Sequence, residues 1–125
     1  MLQQCPIYAY LPARDLARAR SFYEGTLGLE PPQKVDGGVV YAFGGGTAAF
    51  LYLTPNAGTS KASQAFWSVA DVDLEVEALK RRGVVFEDYD MPGERSPAGA
   101  ITAGGAKAAW FKDSEGNILA LIQSV

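Results

Sequence analysis

The chain contains no histidine and a single cysteine. Without imidazole it lacks the side chain most often used for proton transfer near neutral pH. It also lacks the nitrogen ligand on which most zinc, iron, nickel and manganese sites are built. A lone Cys5 has no partner for an internal disulfide and no histidine to activate it; placed before Pro6, it reads as a structural thiol. Positive charge is not in excess: 11 Lys and Arg stand against 14 Asp and Glu, a net charge of −3, so nothing draws the chain to nucleic acid or an anionic membrane. No apolar run approaches the length needed to span a bilayer, and the opening MLQQCPIYAY lacks the basic flank and long apolar core of a secretory signal. The expected location is the cytoplasm, with neither nucleic acid nor membrane as partner.

What is present is the composition of an ordinary globular protein, 48% hydrophobic and 20% charged over 125 residues. A chain of that size can form one domain, 1–125, and bury a core without staples. Its best-defined stretch is Lys107 to Gln123, where two apolar runs flank Asp113-Ser114-Glu115-Gly116-Asn117. This predicts a β-hairpin, with Gly116 supplying the positive φ that the turn needs. In its second run Ile118, Ala120 and Ile122 alternate with Leu119, Leu121 and Gln123, so both faces are apolar, and one must pack on helices while the other finds a second dry surface or lines a pocket.

Two copies of one order precede and include that hairpin. Ile7 to Leu11 alternates as a strand, with Tyr8 and Tyr10 on one face. Asp15 then caps a helix carrying Leu16, Ala19, Phe22, Tyr23 and Leu27 up to Gly28. Val39 to Phe43 and Thr47 to Leu53, joined by three glycines, predict a second hairpin. The order restarts at Gln64 to Val69, where Gln64, Phe66 and Ser68 share one face and Trp67 lies on the other. Asp71 or Asp73 caps the next helix, Gly83 ends it, Val84-Val85-Phe86 reads as a short strand, and a loop runs from about Asp88 to Ala106. Asp15 and Asp71 stand 56 residues apart (71 − 15), Leu53 and Leu121 stand 68 apart (121 − 53), so the second copy carries 12 extra residues (68 − 56). They fall between Glu87 and Lys107. Module one is expected over about 1–58 and module two over about 59–125.

The duplicated order, together with DLARARSFYEGTLGLE, DVDLEVEALKRRGVVFE and AWFKDSEGNILAL, resembles the vicinal-oxygen-chelate superfamily of glyoxalases, extradiol dioxygenases and bleomycin-resistance proteins. The resemblance covers nearly the whole chain. It implies an α+β fold of tandem βαβββ modules whose strands curl as a mixed sheet around a cavity, usually in a homodimer. It also implies four metal-ligand positions, which in this sequence are Tyr8, Tyr52, Gln64 and Ala120. Those residues are not a divalent metal site, so no metal and no cofactor is expected. Loss of the Lewis acid makes an unmodified glyoxalase-type reaction unexpected.

What remains is binding. The face shared with the four positions contains Tyr8, Tyr10, Phe50, Tyr52, Gln64, Phe66, Ser68, Ile118, Ala120 and Ile122. It suits a small, partly aromatic or apolar molecule stacked on rings and oriented by Tyr hydroxyls and the Gln64 amide, held for sequestration or resistance. The bland reading is that these rings fill ordinary core or a dimer interface. The parity of Trp110 is open, Lys112 lies beside it, and Arg95 could pair with an anionic ligand. The contrasting reading is an enzyme related to the superfamily's lyases, isomerases or dioxygenases, using Glu87 or Asp90 in acid–base chemistry or an atypical metal site.

Overall fold

The structure, a computed structural model, describes residues 1–124, so the last residue of the expected domain, Val125, lies outside the described residues. Module one runs β1 (Ala9–Ala13), α1 (Leu16–Arg20), β2 (Gln33–Val35), β3 (Gly38–Ala42) and β4 (Ala48–Leu53). Module two runs β5 (Ser63–Ser68), α2 (Val72–Arg81), β6 (Glu94–Arg95), β7 (Ile101–Ala103), β8 (Ala106–Lys112) and β9 (Ile118–Ser124). Each module makes a mixed sheet, ordered β1-β4-β3-β2 and β5-β9-β8-β7-β6. In both, the first strand pairs parallel with the last and the other pairings are antiparallel. The fold is α+β with tandem modules, as the sequence predicts. Neither sheet closes, and β1 and β5 approach as neighbouring edges without forming one ladder. No helix of the described residues is long and apolar enough to cross a membrane.

Strand alternation decides which residues enter the core. Leu11, Ala13, Val39, Tyr41, Ala49 and Leu51 of module one join Ala109, Phe111, Leu119 and Leu121 of module two in one buried cluster, with Val72 and Val76 from α2. Each helix begins at an aspartate whose carboxylate accepts a backbone N–H of the first turn, Asp15 from Arg18 and Asp71 from Leu74. Asp73, the other possible cap, instead accepts from the Lys107 amine and the Ser96 hydroxyl, tying α2 to β8 and to the segment before β7. After Arg20 the first helix widens into a π-type turn, Ser21–Thr26, which sends the consecutive Phe22 and Tyr23 toward the core.

Several boundaries differ from the sequence reading. The first strand begins at Ala9 because its pairing with β4 starts at Ala49; Ile7 and Tyr8 extend beyond it and are exposed. At the other end the strand runs through Pro12, which an edge strand tolerates. The sequence reading missed β2, whose residues are exposed and carry no apolar alternation. Val84-Val85-Phe86 is not a strand but meets β8 through one bridge, Phe86 to Phe111, beyond the residues of β8 that pair with β7. The stretch read as one loop from Asp88 to Ala106 contains β6 and β7. Since β2 begins at Gln33 and β7 at Ile101, they too stand 68 apart (101 − 33), so the extra residues lie upstream of Ile101. Cys5 is exposed and takes no part in the core.

The turn between β8 and β9 is buried. Asp113 accepts from the Tyr23 hydroxyl, from the backbone N–H of Glu115 and Asn117, and from the Asn117 amide, which also donates to the Pro12 carbonyl at 2.7 Å. Glu115 accepts from the backbone of Arg14 at 2.9 Å and Asp15 at 3.0 Å, and its side chain, 0% exposed, pairs with the Arg18 guanidinium at 2.8 Å. Module two thereby grips the end of β1 and the start of α1. Gly116 has φ +87°, the conformation this turn requires.

The Arg18 hydrogen bond, backed by the Asp15 and Arg14 amides, holds the Glu115 carboxyl down at about 2 against burial. A carboxyl depressed on folding stabilises the native state at any pH above its unfolded value near 4.5 and loses that contribution as pH falls toward about 2. Because Arg18 is half-exposed and screened by solvent, the charge contribution is about 1–2 kcal/mol. Urea unfolding of the natural chain and Glu115→Gln is expected to differ by that amount near pH 7, with the difference shrinking below about pH 4.5 and gone only as pH reaches about 2. A difference that stays constant with pH would show that the charge of Glu115 contributes nothing.

Candidate functional site

The residues on the faces opposite the buried cluster occupy three neighbourhoods. In module one, Tyr10 of β1 lies across from Phe50 of β4, and Tyr52 lies across from Gly38 of β3. The three rings form an aromatic cluster, with Tyr10 centred 4.6 Å from Tyr52 and 5.6 Å from Phe50, and Phe50 stacked 5.7 Å from Tyr52. Gly38 allows β3 to come close here: a Cβ at that position would stand 1.9 Å from the Leu51 carbonyl oxygen. The cluster is not core, since Tyr10 remains 61% exposed. Tyr8, just before the strand, is also exposed.

In module two, Phe66 pairs with Ala120, and Ala120 with Trp110, so these three share a face; the register thus settles the open parity of Trp110. Ala120 is buried, whereas Phe66 is 60% exposed. Ser68 lies opposite Ile122. Gln64 sits where the β5–β9 register shifts, between Ser63 opposite Ile118 and Ala65 opposite Leu119, so no β9 residue stands directly across from it. Trp67 points the other way and stacks on Phe111, as its parity predicts.

The module-two residues line two separate hollows, and Tyr10, Phe50 and Tyr52 line neither. Phe66 and Ser68 line one of about 490 Å³ at the seam of the two sheets, with Ala9, Phe43, Thr47 and Ala65. Trp110 lines another of about 630 Å³, between the end of α2, the Val84–Asp88 segment and the residues preceding β7. Glu87 lines that second hollow and faces the Lys112 amine at 3.5 Å; Asp90 is exposed and is not among its lining residues. Arg95 lines it too, paired with Asp88 at 2.8 Å. Tyr89, which the sequence did not single out, packs edge-on to Trp110 at 5.7 Å, and its buried hydroxyl has no hydrogen-bond partner among the described residues. No sequence signal marks it, because its neighbours are loop-forming residues.

The four positions assigned by resemblance to metal ligands do not fit a divalent ion. Tyr8 lies outside the strand, Tyr52 belongs to an aromatic cluster, Gln64 offers a neutral amide, and buried Ala120 has no donor atom. Among the described residues, no group of three or more His, Cys, Asp or Glu side chains is placed to hold a metal.

A family model described as Glyoxalase/Bleomycin resistance protein/Dioxygenase superfamily matches residues 7–121. Among solved structures, an antibiotic binding protein from Streptomyces sp. CB03234 superposes with a TM-score of 0.72 at 22% identity, covering 100% of this chain and 99% of that one. A glyoxalase/bleomycin resistance protein/dioxygenase from Alicyclobacillus acidocaldarius gives 0.71 at 19% identity, covering 97% and 92%. A glyoxalase/bleomycin resistance protein, also from Streptomyces sp. CB03234, gives 0.62 at 23% identity, covering 90% and 94%. At these identities the likeness establishes the fold. No curated protein matches the chain.

Proposed function

This chain belongs to the Glyoxalase/Bleomycin resistance protein/Dioxygenase superfamily, and from that membership we propose that it is a metal-free binding protein for a small, partly aromatic molecule. The observation that carries the reading is the Tyr10, Phe50 and Tyr52 cluster, in which Phe50 stacks on Tyr52 and Tyr10 packs edge-on to Tyr52 outside the core, with Tyr10 largely exposed. Large rings left on a sheet face are a ready surface for a flat ligand, and Tyr hydroxyls can orient it. The antibiotic binding protein with the same fold supports a sequestering role over a catalytic one. Ile7, Tyr8, Tyr10 and Phe66 are apolar or aromatic and exposed on a single chain, which favours a homodimer that covers part of these faces.

Thermal unfolding against planar aromatic antibiotics and metabolites tests the reading. A ligand that binds only the folded protein raises the midpoint with the logarithm of its concentration. Tyr10→Ala and Tyr52→Ala are each expected to weaken such a ligand roughly tenfold or more, as loss of a stacking anchor does. Divalent metals and chelator are expected to leave the midpoint unchanged. A chelator-sensitive metal shift, or a panel in which no ligand depends on either tyrosine, would sink the proposal.

A further inference from the structure

The larger hollow exists because module two is longer than module one: Asp88, Arg95, Ala98 and Gly99, all upstream of β7, form its outer wall. We propose that this hollow is a second ligand site, apart from the Tyr10, Phe50 and Tyr52 cluster, that takes a carboxylate-bearing molecule. Arg95 receives a carboxylate while the apolar body of the same molecule lies along Trp110, Ile101 and Val84. This rests on the reading of the protein as a binder of small, partly aromatic molecules, and it adds a second place, selective for charge, where such a molecule is held.

Register puts the groups together. Arg95 pairs with Ile101, and Ile101 with Ala108, two residues before Trp110 on β8, so cation and indole share a sheet face. The guanidinium is already oriented, since one amino group donates to the Tyr89 carbonyl. The other pairs with Asp88, whose side chain is 87% exposed, and so solvated a pair contributes little. A ligand carboxylate delivered on an apolar body can replace Asp88, return it to water, and keep the Tyr89 contact.

The remaining cations nearby are engaged differently. Lys80 donates to the Ala98 carbonyl at 2.9 Å, and Lys112 faces Glu87. Together they offset the acids Glu87 and Asp88 at the rim. Tyr89, packed edge-on against Trp110 at 5.7 Å, holds that indole in place.

The test is titration of the full chain with naphthoate and with its uncharged isostere naphthamide, read by tryptophan fluorescence and by unfolding midpoint. Naphthoate is expected to bind roughly tenfold more tightly or better, the value of a charge-assisted bond. Arg95→Gln should erase that preference. Asp88→Asn, which removes the competing carboxylate, should tighten naphthoate several-fold and leave naphthamide unchanged, a gain that a misfolded variant cannot produce. Equal binding of the two probes, or a preference that survives Arg95→Gln, overturns the proposal. If binding is equal and abolished by Tyr52→Ala, the aromatic-binding reading stands and the Arg95 anchor alone falls. Failure of both probes and of every aromatic compound in the wider panel overturns both.

Discussion

Replacing Asp113 by alanine is expected to lower the unfolding free energy by about 3–4 kcal/mol, enough to move the midpoint of a chain this size by roughly 10 °C or more. The side chain gathers four donors in a buried place: the Tyr23 hydroxyl, the backbone N–H groups of Glu115 and Asn117, and the Asn117 amide. Removing the carboxylate leaves each of them to find another acceptor where water has little access, and an unmade bond of that kind costs more than a made one contributes. Burial and the Asp113 carboxylate raise the Tyr23 hydroxyl well above its ordinary range, so it remains a donor wherever the protein is folded. Tyr23→Phe removes one donor and is expected to cost about 1 kcal/mol. Asp113→Asn keeps an acceptor oxygen but loses the charge, and should fall between the two. Urea unfolding at neutral pH measures all three; a loss under about 1 kcal/mol for Asp113→Ala would show that water satisfies the turn and that it does not hold the modules together.

That network also marks a limit of what a sequence discloses. Asp113-Ser114-Glu115-Gly116-Asn117 reads correctly as a turn, because Gly116 and the flanking apolar runs are local signals. That its polar side chains are buried is not local information. Their partners, Pro12, Arg14, Asp15 and Arg18, lie about a hundred positions away, and nothing in either stretch announces the other. The helix caps Asp15 and Asp71 were legible for the opposite reason, since a cap bonds three residues ahead. Strand β2 was not, because edge residues exposed on both faces need no alternation, and only the close approach of β3 at the Asp36-Gly37 turn creates it.

The candidate site divides along the same line. Alternation alone assigned Tyr10, Phe50, Tyr52, Phe66 and Ala120 to faces, and the β8–β9 register then added Trp110. Which of those residues share a hollow depends on how far the two sheet edges stand apart and on the path of the residues before β7, both tertiary properties. Arg95 illustrates the step: in sequence it is an arginine among loop formers, and only its pairing with Ile101 brings it to the face that carries Trp110.

Phe111→Ala is expected to cost about 3–5 kcal/mol, the range for deleting a buried phenylalanine. The ring is 0% exposed, stacks on Trp67 at 6.2 Å, and meets Phe86 at 5.4 Å and Phe22 of module one at 6.4 Å. A cavity there has walls from both modules, so its cost should fall on the whole molecule and not on module two alone. The variant is therefore expected to unfold in one transition, shifted to lower urea with an unchanged slope, whether followed by tryptophan fluorescence or by far-ultraviolet circular dichroism. Phe111→Leu fills most of the space and should cost about 1–2 kcal/mol, again in one step. Both tryptophans lie in module two, so fluorescence reports that half while dichroism reports both. Separation of the two curves would mean that the modules fold as independent units, and the reading of this chain as a single cooperative domain would fall with it.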